Sequence, residues 1–164
     1  MRILYILIFL ISAVGLDQVS KNLISSSQFL GESINIFPFL DFTLVHNSGV
    51  AFSFLSDGGL LMRWMLVILI SLVIGYFFFL LISIRKKSYF ETIAMLFILS
   101  GGLGNLIDRF LYGYVVDFIH LHYANYSFFI FNLADTWITI GAILYIIYFF
   151  FIEEGVDENN TSKS

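Results

Sequence analysis

From Trp64 to Ile84 the chain runs without a single charged side chain, and most of the residues are Leu, Ile, Val or Phe. A hydrocarbon layer about 30 Å thick is crossed by roughly 20 apolar residues in a helix. Lipid offers no partner to a free backbone amide, so an uninterrupted apolar run of this length closes its hydrogen bonds within itself as a helix. Together with this run, taken as 61–84, three further stretches have span length: about 3–24, 90–109 and 135–152.

Composition fits the same class. The chain is 59% hydrophobic and only 12% charged, where a soluble domain carries about 25% charged residues. A net charge of −4 argues against nucleic acid as a partner, which calls for a basic face. With no cysteine, a disulfide framework, a zinc ribbon and a thiol nucleophile are all excluded.

Orientation follows from basic residues at the span ends. Arg2 precedes the first span and Arg85-Lys86-Lys87 fills the loop between the second and third. Four alternating spans put those sites on one side, so both termini are expected in the cytoplasm. Met1-Arg2 and the apolar run to Leu16 look like the start of a secretory signal peptide. Asp17 and Lys21 continue a helical face with no clear cleavage site, so the segment is read as an uncleaved span. The tail 153–164 is polar and acidic and is expected to be disordered.

Two connections then face outward. Residues 25–60 contain strand-like alternation at Ser33–Phe37 and Phe42–Val45, which predicts a small β-rich cap. Residues 110–134 form a second, strongly aromatic connection. The expected fold is an all-α membrane protein: one domain over 1–152, four transmembrane helices and a small extracytoplasmic β-rich cap.

Ionisable residues within spans are functional candidates, because each costs about 2.5–3.5 kcal/mol at the membrane centre. Asp17 and Lys21 lie four apart on one helix face, either neutralising each other at the interface or holding a site together. Gly101-Gly102-Leu103-Gly104-Asn105 leads into Asp108-Arg109. The small residues permit close helix approach, and with Ala134 they are expected to leave room for a substrate helix. Asn105, Asp108 and Arg109 are expected to cluster toward the bundle interior.

Asp117 and Asp135 are isolated acids in apolar surroundings. Asn132 is placed to cap the fourth helix, with Asp135 in its first turn where the helix dipole favours an anion. If the two acids face each other, mutual repulsion favours one shared proton, giving a neutral acid beside an anionic base. His120 and His122 complete an Asp-x-x-His-x-His string of metal-ligand types, yet no HExxH motif accompanies it. No metal and no other cofactor is expected.

In these blocks the sequence resembles the bacterial lipoprotein signal peptidases, or signal peptidase II. The resemblance rests on Asp17-Gln18-Val19-Ser20-Lys21, Asn47-Ser48-Gly49-Val50-Ala51-Phe52, the glycine-rich stretch ending in Asn105 and Asp108-Arg109, Val115-Val116-Asp117-Phe118, and Phe131-Asn132-Leu133-Ala134-Asp135. Any one block is weak, but all five in this order on four spans are specific. The resemblance implies an inner-membrane aspartic endopeptidase with a β-cradle outside. It would cut diacylglyceryl-modified prolipoproteins just before the lipidated cysteine.

By the same match Asp117 and Asp135 are the catalytic pair, while Asp17, Lys21, Asn47, Gly49, Asn105, Asp108, Arg109 and Asn132 shape the site and hold substrate. Implied partners are the prolipoprotein and membrane lipid, with the enzyme a monomer. The segment Asn47–Phe54 is expected to act as a lid. Two rival readings use the same acids: a small proton-coupled transporter, disfavoured because the polar residues gather at one end of the spans, and a metal-dependent membrane hydrolase.

Overall fold

The computed structural model describes residues 2–49, 59–83, 88–124 and 126–153. Residues 50–54 of the expected lid, the Arg85-Lys86-Lys87 loop and the tail from 154 lie outside the described residues. Four long helices carry the architecture: α1 (Arg2–Ser27), α2 (Gly59–Ile82), α3 (Tyr89–Leu111) and α4 (Leu133–Ile147), the last extended by a π-helical turn over Tyr148–Glu153. Each is long and apolar enough to cross a membrane.

These helices leave Ile11, Leu69, Leu72 and Ile143 exposed. Such a surface is stable against hydrocarbon, not against water. What the helices do bury is a cluster around Leu81, Met95, Leu96 and Leu99, with Ile6, Phe9 and Leu10 from α1 and Tyr145 from α4 packed on it. The most buried helix is α3, on which the other three pack. Its N-terminus is closed by Ser88, whose Oγ accepts from the Glu91 N–H at 3.0 Å.

The glycines of α3 correct one expectation. A Cβ at Gly101 would collide with the Ala134 backbone carbonyl, and one at Gly102 would lie 3.0 Å from Ile74 Cγ1. At Gly104 a Cβ would sit 2.6 Å from Asp17 Oδ2 and 3.1 Å from Ala134 Cβ. The space that these small residues open is taken by α4, α2 and Asp17, so none is left there for a substrate helix.

Beyond the helices lies an antiparallel four-stranded sheet in the order β1 (Ser33–Phe37), β2 (Leu40–Asn47), β3 (Val115–Tyr123), β4 (Tyr126–Phe131). The description all-α therefore omits a structural layer, half of which comes from the 110–134 connection rather than from 25–60. A lone hairpin is marginal in water, and β3 gives β2 a partner along most of its length. The central pairing sets the register Val45↔Asp117, His46↔Val116 and Asn47↔Val115. Alternation along a strand then sends Asp117 to one face of the sheet and Val116 to the other.

Candidate active site

Asn132 is where the site is built. It caps α4, with its Oδ1 accepting from the Asp135 N–H at 2.9 Å, while Asp135 Oδ2 accepts from the Asn132 N–H at 3.3 Å. This reciprocal capping box satisfies two amides that a helix start leaves over, and it fixes the Asp135 carboxylate at the head of α4. The Asn132 side-chain amide nitrogen, pointing the other way, donates to Asp117 Oδ1 at 2.6 Å. One residue thus reaches both acids, the Asp135 carboxylate through its backbone N–H and the Asp117 carboxyl through its side-chain amide.

Asp117 is 2% exposed and receives a second donor, Asn47 Nδ2, on Oδ2 at 2.8 Å. Burial pushes its carboxyl up to about 6; the Asn47 and Asn132 amides pull against this, and the nearby charge of Asp135 adds to the rise. Asp135 is half-buried and takes a further donor from α3, Asn105 Nδ2 at 2.8 Å. Asn105 Oδ1 accepts from Asn132 Nδ2 at 3.1 Å, which closes a ring of Asn105, Asn132 and Asp135, with Asp117 attached to it through Asn132.

Behind this ring sits a fully buried charge cluster. Lys21 Nζ lies 2.8 Å from Asp17 Oδ2 and 3.0 Å from Asp108 Oδ2, and it donates to Asn105 Oδ1 at 3.2 Å. An ammonium has three protons, and here each has an acceptor. Asp17 Oδ1 also accepts the Ala134 N–H at 2.9 Å, tying α1 to the first turn of α4. Asp108 Oδ2 accepts the Val116 N–H at 3.1 Å, tying α3 to β3 next to Asp117. Lys21 is thus shared by Asp17 and Asp108, while the Arg109 charge acts chiefly on Asp135 and Asp117.

Asp17 and Lys21 are therefore not a self-contained interfacial pair, since both reach across to other elements. Asn105, Asp108 and Arg109 do not bond mainly to one another. Their side chains fan out to α4, to α1 and β3, and back onto α3, where Arg109 Nη1 donates to the Asn105 carbonyl at 3.4 Å. Arg109 Nε is buried and without a hydrogen-bond partner among the described residues. Gly49, in the left-handed region at φ 94°, donates its N–H to Asn47 Oδ1 at 2.9 Å. That bond orients the Asn47 amide toward Asp117.

Two contributors went unassigned in the sequence. Gln18 Nε2 contacts Asp17 Oδ2, the Gly104 carbonyl and Asp108 Oδ1 at 3.0–3.2 Å; its place within the Asp17–Lys21 turn is the signal that could have found it. Arg63 of α2 donates from Nε to the Arg109 carbonyl at 3.0 Å and from Nη2 to the Phe110 carbonyl, closing the end of α3 before β3 begins. The Asp-x-x-His-x-His string does not converge. His120 pairs with Ser127 at 2.7 Å and His122 Nε2 lies 3.2 Å from Asp41 Oδ1, on the face of β3 opposite Asp117. Among the described residues no three His, Asp or Glu side chains group to hold a metal.

The chain is similar to proteins of one kind. A family model described as signal peptidase (SPase) II matches residues 8–151. A lipoprotein signal peptidase of Acinetobacter baumannii (strain SDF) is 45% identical over 148 residues, covering 90% of this chain and 84% of that one. That of Teredinibacter turnerae is 43% identical over 131 residues, covering 80% and 78%. A solved structure described as a bacterial membrane enzyme, determined by the in meso method at 1.9 Å, is 36% identical with a TM-score of 0.76, covering 90% of this chain and 94% of that one.

Proposed function

Because the chain belongs to the signal peptidase II family, a peptidase family of the bacterial inner membrane that removes signal peptides from prolipoproteins, we propose that Asp117 and Asp135 are its catalytic acids. The observation that carries this reading is Asn132, whose side-chain amide donates to the Asp117 carboxyl while its backbone N–H donates to the Asp135 carboxylate. Two carboxyl groups so held share the chemistry of an aspartic dyad. Neither the transporter nor the metal-dependent hydrolase finds support in the family.

Asp117, raised by burial, is the proton holder, and Asp135, open to one side and receiving amide donors, is the base. Asp135 takes a proton from a water as that water attacks the scissile carbonyl. Asp117 donates its proton to the developing oxyanion, and the acids exchange roles as the amine leaves. Asn47, Asn105 and Asn132 hold the acids without adding charge. Arg109, half-buried at the end of α3, contacts the substrate backbone. Asp17, Lys21 and Asp108 fix the three elements on which the acids stand, and Gly49 fixes Asn47.

The bond cut lies just before a diacylglyceryl-modified cysteine, so that signal helix and acyl chains remain in lipid while the peptide bond meets water. The site and the sheet face outward, both termini lie in the cytoplasm, and the enzyme works as a monomer with membrane lipid around it. The test is one assay with three proteins. Wild type, Asp117→Asn and Asp135→Asn are given a diacylglyceryl-modified prolipoprotein in detergent, alongside its unlipidated precursor. Both variants are expected to be inactive. Full cleavage by either one sinks the dyad, and equal cleavage of the unlipidated precursor by wild type removes the lipid requirement.

A further inference from the structure

A cavity of about 540 Å³ lies on the opposite face of the sheet from Asp117. This is within the range of small-molecule sites, roughly 300–1,000 Å³. The register explains its separation from the dyad: His46 and Val116 pair side by side and line the cavity, while Val45 pairs with Asp117. Its other wall is the outer turn of α1, with Asn22, Ser25 and Gln28, and its rim is Tyr112 and Tyr114. Tyr114 stacks on His46 at 3.9 Å and on Tyr112 at 5.8 Å. The α1 span ends at Ser27, so the cavity opens where the helix leaves the membrane.

Three observations fix the chemistry of an occupant. Charge comes first: the ionised groups in its lining are Lys21 and Asp108, and they neutralise each other at 3.0 Å. An anion would find no uncommitted cation, because every Lys21 proton has an acceptor. A cation would meet the Lys21 ammonium.

Next, Gln28 is 8% exposed and its Nε2 is tied to the Phe42 carbonyl at 3.3 Å, which leaves Oε1 buried without a partner among the described residues. A buried acceptor left over carries a desolvation penalty, and a donor in the cavity relieves it as the Gln28 side chain turns toward it. Last, Phe29 and Leu30 line the same cavity yet stand 85% and 63% exposed. They give it an apolar edge toward the membrane.

We propose that this cavity behind the sheet is a second binding site, for the neutral, hydroxyl-bearing headgroup of a membrane amphiphile. The hydroxyls donate to the Gln28 amide and exchange hydrogen bonds with Asn22 and Ser25, and the acyl chain leaves across Phe29 and Leu30. The shared chemistry, a polyol, comes either from a lipid headgroup or from a free sugar alcohol, and the experiment separates the two.

The full chain is reconstituted in phosphatidylcholine nanodiscs, and bound 1-monooleoylglycerol is counted by native mass spectrometry over a concentration series. Parallel series use free glycerol, a phosphatidic acid and Ser25→Trp, a bulky change at an exposed position that fills the cavity. Wild type is expected to retain one monooleoylglycerol, and Ser25→Trp to weaken retention by about tenfold or more while its peptidase turnover is unchanged. Saturable binding of free glycerol assigns the site to soluble polyols instead. Equal retention of phosphatidic acid, or unchanged retention by Ser25→Trp, overturns the proposal. Should Ser25→Trp lose turnover, Asn22→Leu at another exposed position decides by the same retention criterion.

Discussion

Replacing Lys21 by methionine keeps an unbranched side chain out to Cε and removes the ammonium. The ammonium is 3% exposed and sits between Asp17 at 2.8 Å and Asp108 at 3.0 Å, with Asn105 as its third acceptor. Its loss leaves two buried carboxylates with no cation between them and Asn105 Oδ1 short of one donor. Removing one partner of a buried pair costs about 3–5 kcal/mol. Protonation sets a ceiling, since neutralising an ordinary carboxylate at about pH 7.5 costs about 5 kcal/mol. The expected loss is therefore about 3–5 kcal/mol near neutral pH.

The same argument says where the loss shrinks. In an Asp108→Asn background only one acid faces the missing ammonium, so Lys21→Met should cost about 1–3 kcal/mol less there, a coupling in the range of contacting residues. Equilibrium unfolding of all four proteins in mixed micelles, followed by far-ultraviolet circular dichroism, measures the cycle. A single-variant loss below about 1 kcal/mol, the worth of an exposed ion pair, would refute the cluster as a buried electrostatic unit. So would an equal cost in both backgrounds.

Other predictions test neighbouring parts. Asn132→Ser keeps an oxygen for the capping bond but loses the amide that Asp117 and Asn105 share, so it should cost about 1–3 kcal/mol of stability while cleavage falls by a hundredfold or more, about 2.7 kcal/mol; Asn132→Ala should lose the cap as well, about 1 kcal/mol more, and thermal melting with a cleavage assay separates them. Gly104→Ala puts a methyl 2.6 Å from Asp17 Oδ2 and should cost about 1–3 kcal/mol as an overpacked core site, with activity falling alongside in the same unfolding and cleavage measurements.

The fourth concerns pH. The Asp117 carboxyl is raised to about 6 from an ordinary 3.8, so between those values the folded state holds more protons than the unfolded one. Stability from this group is thus fully present below about pH 4 and is lost as pH rises through about 6. Asp117→Asn should flatten that part of the stability profile. The cleavage rate of wild type should decline on the alkaline side as the proton on Asp117 is lost, and a rate flat through that range would contradict its part as the acid.

The bundle was legible in the sequence because solvent class leaves little choice. Four apolar runs of span length leave no other way to satisfy a backbone in lipid, and four helices of that kind are found among the described residues. The sheet was only half legible. Alternation in Ser33–Phe37 is plain, and His120 and His122 alternate with Leu121 as in an interfacial strand, but Val115–Phe118 is buried at every position and so shows no alternation. The candidate site residues stood out as chemistry out of place: acids and amides among Val, Phe and Gly.

What the chain alone determined is which residues carry an energetic penalty that only structure or function explains. Which groups relieve which penalty was a matter of three-dimensional packing. Lys21 lies next to Asp17 in the helix, yet it equally serves Asp108, far along the chain. The amide of Ala134 satisfies Asp17, and that of Val116 satisfies Asp108. Glycines that promised an open groove are filled by their neighbours, because close approach, once allowed, is used for packing. Local sequence fixes spacing along one helix or strand, whereas a buried charge is matched by whatever the fold brings within about 3 Å of it. That distance is decided only when all four helices and the sheet are in place.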